Sequence, residues 1–145
     1  MKRVLESVEL GNLSAVEAKE KPKYSFLVWN LERGIQYERQ LQAFRTHKDL
    51  KGCDVLILIE TDVGMARSGN RPIAQLLARE LQMNYAFVPC YLNLAKGAGV
   101  EYDVGGANEL GLHGNAILSR YPIGAARPVH LKNGKDKMRG REKRL

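Results

Sequence analysis

A chain of 145 residues with 23 lysines and arginines against 16 aspartates and glutamates carries a formal charge of +7, and 44% of its residues are hydrophobic. This is the composition of one folded domain and excludes a disordered or collagenous chain. At this length folding buries about two-thirds of the surface of the unfolded chain, so a core needs neither disulfides nor a structural metal.

Residues 1–22 are polar and charge-mixed, with a weak helical spacing through Leu5, Val8, Leu13 and Val16, and read as a leader or loosely docked helix ahead of a domain over 23–145. The run 24–29, YSFLVW, suits a strand buried on both faces that stops at Asn30. Tyr37, Leu41 and Phe44 then share one helical face, with Gly52 as a stop before the next run. Residues 54–59, DVLILI, form the clearest buried strand, ending at Glu60. A turn at Ser68-Gly69-Asn70 leads to Pro72 and to an amphipathic helix through Ile73, Leu76, Leu77 and Leu81. Residues 84–90 return to extended character, 96–111 read as a glycine-rich surface loop, and 115–119 with 122–131 suggest a hairpin. The order of elements predicts a mixed α/β or α+β layered domain without internal repeats.

Cys53 and Cys90 form no CxxC pair and lie in or beside apolar runs, as small core residues of a reduced, cytoplasmic protein would. Glu6 and Glu9 interrupt the stretch where a signal peptide would be apolar, and no run approaches the ~20 residues of a membrane span. Residues 127–145 hold eight lysines and arginines against Asp136 and Glu142, and so most of the net charge. Such a segment either attracts phosphate-bearing partners or is a solvated end; it has no aromatic residue for stacking on bases.

Two buried strands joined by one helix are most simply parallel, which brings their carboxyl ends, and with them Asn30 and Glu60, to one edge of the sheet. Ligands collect at that edge in such sheets. Glu60 is a hard oxygen ligand suited to Mg²⁺, and Asn30 suits a phosphate oxygen or a metal-bound water. Neither is a nucleophile, so the pair fits electrostatic stabilisation of a phosphate ester. P-loop, zinc-protease and serine-hydrolase signatures are absent, and His47, His113 and His130 share no metal-ligand spacing.

Three strings, FLVWNLERG over 26–34, DVLILIETDVGMARSG over 54–69 and GNAILSRYPI over 114–123, resemble in order and spacing the endonuclease/exonuclease/phosphatase superfamily. That superfamily includes DNase I-like nucleases, apurinic endonucleases, sphingomyelinases and inositol polyphosphate phosphatases. The resemblance implies a four-layer α/β sandwich of the DNase I-like type and phosphoester hydrolysis dependent on Mg²⁺ or Mn²⁺. It assigns the metal to Glu60 and lines the active site with Asn30. Asn115 borders the site, either as structural support or in direct phosphate contact. Asp62, Gly64 and Arg67 correspond to a loop-supporting continuation, and His113 matches no catalytic histidine of the family. The family's later Thr-His, Gly-Asp-x-Asn and Ser-Asp-His motifs do not occur, so the resemblance covers the N-terminal half of the fold, and the remaining half of the domain is an expected partner. Two functions follow: a metal-dependent phosphodiesterase or nuclease truncated in this chain, or a non-catalytic remnant that binds phosphate or nucleic acid. A bare structural fragment is the third alternative.

Overall fold

A computed structural model describes residues 2–15 and 19–129. A one-turn helix α1 (Lys2–Leu5) precedes β1 (Glu9–Gly11), β2 (Phe26–Arg33), α2 (Tyr37–Thr46), β3 (Val55–Val63), α3 (Ile73–Leu81), β4 (Asn84–Leu92) and β5 (Leu112–Ser119). The strands form one sheet in the order β1-β4-β5-β3-β2, with β2 and β3 parallel and every other pair antiparallel. The described residues are therefore mixed α+β in two layers; no second sheet is among them. No helix among them is long and apolar enough to cross a membrane.

Helical spacing decides one face. Ile73, Ala74, Leu77 and Ala78 of α3 and Tyr37, Leu41 and Phe44 of α2 are buried against Leu31, Leu56, Leu58, Phe87 and Leu118 of the sheet. Phe44 meets Trp29 with ring centroids 5.2 Å apart. Cys53 is buried in this core, Cys90 is half-buried, and no disulfide joins them.

Much of the opposite face is exposed among the described residues. Register places Val28, Ile57, Ile117, Ala86 and Leu10 in one row across all five strands. Of these, Val28 is 60% exposed, Leu10 49% and Ile117 45%, with Phe26 beside them at 66%. An apolar row of this extent favours association. Light scattering should show mass rising with protein concentration, and Phe26→Lys combined with Val28→Lys should suppress the rise while leaving the unfolding midpoint nearly unchanged.

Several expectations are corrected by the fold. The run at 24–29 is not buried on both faces, because β2 is an edge strand with helices on one side only; nor does it stop at Asn30. β3 likewise continues past Glu60 to Val63, since β5 keeps pairing with it as far as Val63↔Leu112. Among the described residues of the leader, helix is confined to α1, and Glu9–Gly11 pairs with β4 as the other edge strand, so part of the segment expected to stand ahead of the domain belongs to its sheet. Residues 122–129 form no strand: β5 already has β3 on one side and β4 on the other, which leaves it no free edge for a hairpin partner. Most of the basic segment 127–145, from 130 onward, lies outside the described residues, as does His130.

Candidate functional site

Asn30, Glu60 and Asn115, far apart in the chain, stand at one level on the three adjacent strands β2, β3 and β5. Asn30 is in register with Ile59, and the Glu60 amide donates to Asn115 Oδ1 at 3.2 Å. Asn30 lies two residues beyond Val28 and Asn115 two before Ile117, which puts both on the face of the sheet opposite α2 and α3. The ladders lose regularity at this level. Register shifts fall between Asn30 and Arg33 on β2, between Leu58 and Thr61 on β3, and between Pro89 and Tyr91 on β4. Glu32, Arg33 and Glu60 adopt φ of 48°, 69° and 57°, a left-handed conformation that non-glycine residues seldom take. Bulges and held strain of this kind concentrate at functional sites, where they redirect a side chain out of the pleat.

Two groups at this level offer bonding capacity. Asn30 Oδ1 accepts from the Glu32 amide at 2.9 Å, and its Nδ2 makes no hydrogen bond among the described residues. The Glu60 carboxylate, half-buried, has neither a hydrogen bond nor an ion pair there. Among the described residues no three His, Cys, Asp or Glu side chains converge as a metal site. A metal at Glu60 would therefore rest on one carboxylate and keep most of its water shell, which suits Mg²⁺ and does not suit zinc.

Immediately beyond the bulge, Asp62 and Arg67 form a bidentate pair, Nε to Oδ2 at 2.8 Å and Nη2 to Oδ1 at 2.9 Å, with side chains 0% and 3% exposed. His113, in register with Asp62, places Nδ1 2.7 Å from Asp62 Oδ1 and lies against Tyr91 with ring centroids 4.8 Å apart. Ser68 Oγ also donates to Asp62, at 3.2 Å. Burial pushes the Asp62 carboxyl up, but the hydrogen bonds and charges of Arg67 and His113 outweigh it and hold the group below the usual aspartate value. For Arg67 burial alone would lower the pKa, and Asp62 and Glu101 together raise it instead. The geometry of Asp62 and Arg67 is that of a clamp: it ties β3 to the turn after it.

Glu101 and Arg33 complete this network and were not evident in the sequence. Glu101 accepts from Arg67 Nη1 at 3.2 Å and pairs with Arg33 Nε at 3.1 Å. The segment 96–111, read as a surface loop, is thus anchored to the site. Gly64 O accepts the amides of Glu109, Leu110 and Gly111 at 3.0, 3.1 and 2.9 Å. Gly64 must be glycine here, with φ at 64° and a Cβ position 2.6 Å from Leu110 N. No local pattern signals such contacts, because Glu101 lies 34 residues from Arg67.

No family model, curated protein or solved structure matches this chain.

Proposed function

We propose that this chain carries the metal- and phosphate-holding half of a divalent-metal-dependent phosphoester hydrolase. The observation that supports it is the meeting of Asn30, Glu60 and Asn115, named from three separate strings, at one irregular level of the sheet. Glu60 holds Mg²⁺ or Mn²⁺ through its unpaired carboxylate. When bound, the cation acts as a Lewis acid toward phosphoryl oxygens. Asn30 donates from Nδ2 to a phosphate oxygen. Asn115 fixes the Glu60 backbone through Oδ1 and so keeps the strained residue in place. The clamp of Asp62 and Arg67 holds the strand beyond the bulge. The general base and leaving-group acid are assigned to the family's later motifs, so the 145-residue chain alone turns over at background rate.

Calorimetric titration with MgCl₂ tests the metal assignment. Weak binding of one cation is expected, and it should vanish in Glu60→Gln. An unchanged isotherm in that variant would remove Glu60 as the ligand.

A further inference from the structure

The network beyond the bulge sets two guanidiniums, Arg33 and Arg67, against two carboxylates, Asp62 and Glu101. Its two ends are held very differently. Arg67 grips Asp62 through two parallel hydrogen bonds with both side chains almost sealed from water, an arrangement costly to break. Arg33 meets Glu101 through one contact, Nε to Oε1 at 3.1 Å, and its side chain is 32% exposed, so this pair contributes little and is readily exchanged. Arg33 Nη1 and Nη2 have no partner among the described residues.

Glu101 therefore lies across both arginines with one oxygen on each, Oε1 on Arg33 and Oε2 on Arg67. A phosphate presents its oxygens to guanidiniums in the same manner. Arg33 also stands at the level of the site: it is in register with Thr61, the residue after Glu60, and follows Asn30 on the same strand. Its left-handed φ succeeds another at Glu32, and such a pair of non-glycine residues persists only where contacts fix it, here the Asn30 bond to the Glu32 amide and the ion pair to Glu101. The Glu101 carboxylate is folded back on its own loop. The Ala98 amide donates to Oε2 at 3.0 Å, and a Cβ on Gly97 would collide with that oxygen. We propose that Glu101 is an autoinhibitory contact: at rest its carboxylate occupies Arg33, and a phosphate entering beside Asn30 and Glu60 takes Arg33 from it, releasing this part of the 96–111 segment. Arg33 is then a phosphate-holding residue gated by Glu101. This rests on the phosphoester reading above.

Inorganic phosphate titrated without metal into the ¹⁵N-labelled protein should shift the Arg33 Nε–Hε and Ala98 amide resonances together and saturably. The Arg67 Nε–Hε resonance, held by Asp62, should move little. Glu101→Gln removes the competing charge and should tighten phosphate binding about tenfold, as exchange of one charge-assisted hydrogen bond implies. Gly97→Ala displaces the carboxylate without removing it and should tighten binding as well, which separates release of Arg33 from a change in net charge. Arg33→Ala should weaken binding about tenfold, alone and combined with Glu101→Gln, and Arg33→Lys should restore part of the loss. No tightening in Glu101→Gln, tightening there but not in a folded Gly97→Ala protein, or full retention in Arg33→Ala would overturn the proposal. Mg²⁺ and Asn30→Ala separate this failure from that of the phosphoester reading. Phosphate that exchanges with Glu101 on Arg33 but ignores both Mg²⁺ and Asn30→Ala would uphold the contact and remove the phosphoester site; binding that needs Mg²⁺ and Asn30 but ignores Arg33→Ala and Glu101→Gln would do the reverse.

Discussion

Asp62→Ala should destabilise the domain by about 3–5 kcal/mol, the cost typical of removing one partner of a buried ion pair. Against a total stability of about 5–15 kcal/mol this is enough to leave the variant largely unfolded in mild denaturant. The substitution strands the Arg67 guanidinium, 3% exposed, with Glu101 at 3.2 Å as its remaining acidic partner, and removes the acceptor for His113 and Ser68. Urea denaturation measures the loss. If the cost comes from the stranded charge, the double variant Asp62→Leu, Arg67→Met should lose less than the two single variants together. Additive losses would mean that the pair acts through packing alone.

The same pair gives the acid limb of stability a defined sign. Folding lowers the Asp62 pKa, so the carboxylate's contribution is complete above the unfolded value of about 3.9 and is lost as pH falls through the lower folded value. Asp54, bonded to Lys21 at 2.7 Å and to the Ser25 amide and hydroxyl, is also held low and titrates in this range. The Asp62 share is therefore the difference between the wild-type and Asp62→Asn profiles of unfolding free energy below pH 5. Superimposable slopes would contradict the assignment.

The second large effect concerns turnover. On the proposed reading, a longer protein that joins this chain to the later motifs of the superfamily it resembles should cleave a phosphodiester with Mg²⁺ or Mn²⁺, and Glu60→Ala should reduce cleavage to the level seen with a chelator. Asn30→Ala should cost about 100-fold in kcat, the lower end for removing one oriented donor to developing negative charge. Asn115→Ala should fall between wild type and Asn30→Ala, because it frees the strained Glu60 backbone without removing a phosphate contact. Chelator-sensitive cleavage by the 145-residue chain alone would contradict the proposed division between the two halves. Cleavage indifferent to Glu60→Ala would contradict the site.

The legible parts of this fold were those with local periodicity. The three-four spacing of Tyr37, Leu41 and Phe44 and the buried face of Ile73 and Leu77 gave the helices, and the apolar run at 54–59 gave β3. The parallel pairing of β2 with β3 followed from the single helix between them. The ends of these strands were misplaced because a polar residue stops a strand only when its neighbours stop pairing, and here bulges carry the ladders past Asn30 and Glu60. β1 was missed because three residues, ELG, carry no alternation; their pairing depends on the exposed edge of β4. Asp62 and Arg67 were visible as neighbours in one string. Their links to His113 and Glu101 depend on register and on loop closure over dozens of residues.

Manganese-induced broadening in a ¹H–¹⁵N spectrum of the 145-residue protein tests the central claim most directly, since it locates the cation by distance from each amide. At substoichiometric Mn²⁺ the amides of Asn30, Glu60 and Asn115 should broaden together and first, and Glu60→Gln should abolish the effect at all three. Broadening centred elsewhere, for instance on the exposed carboxylates of Glu38 and Glu80, or persisting unchanged at Asn30 and Asn115 in Glu60→Gln, would contradict a metal site at this level of the sheet.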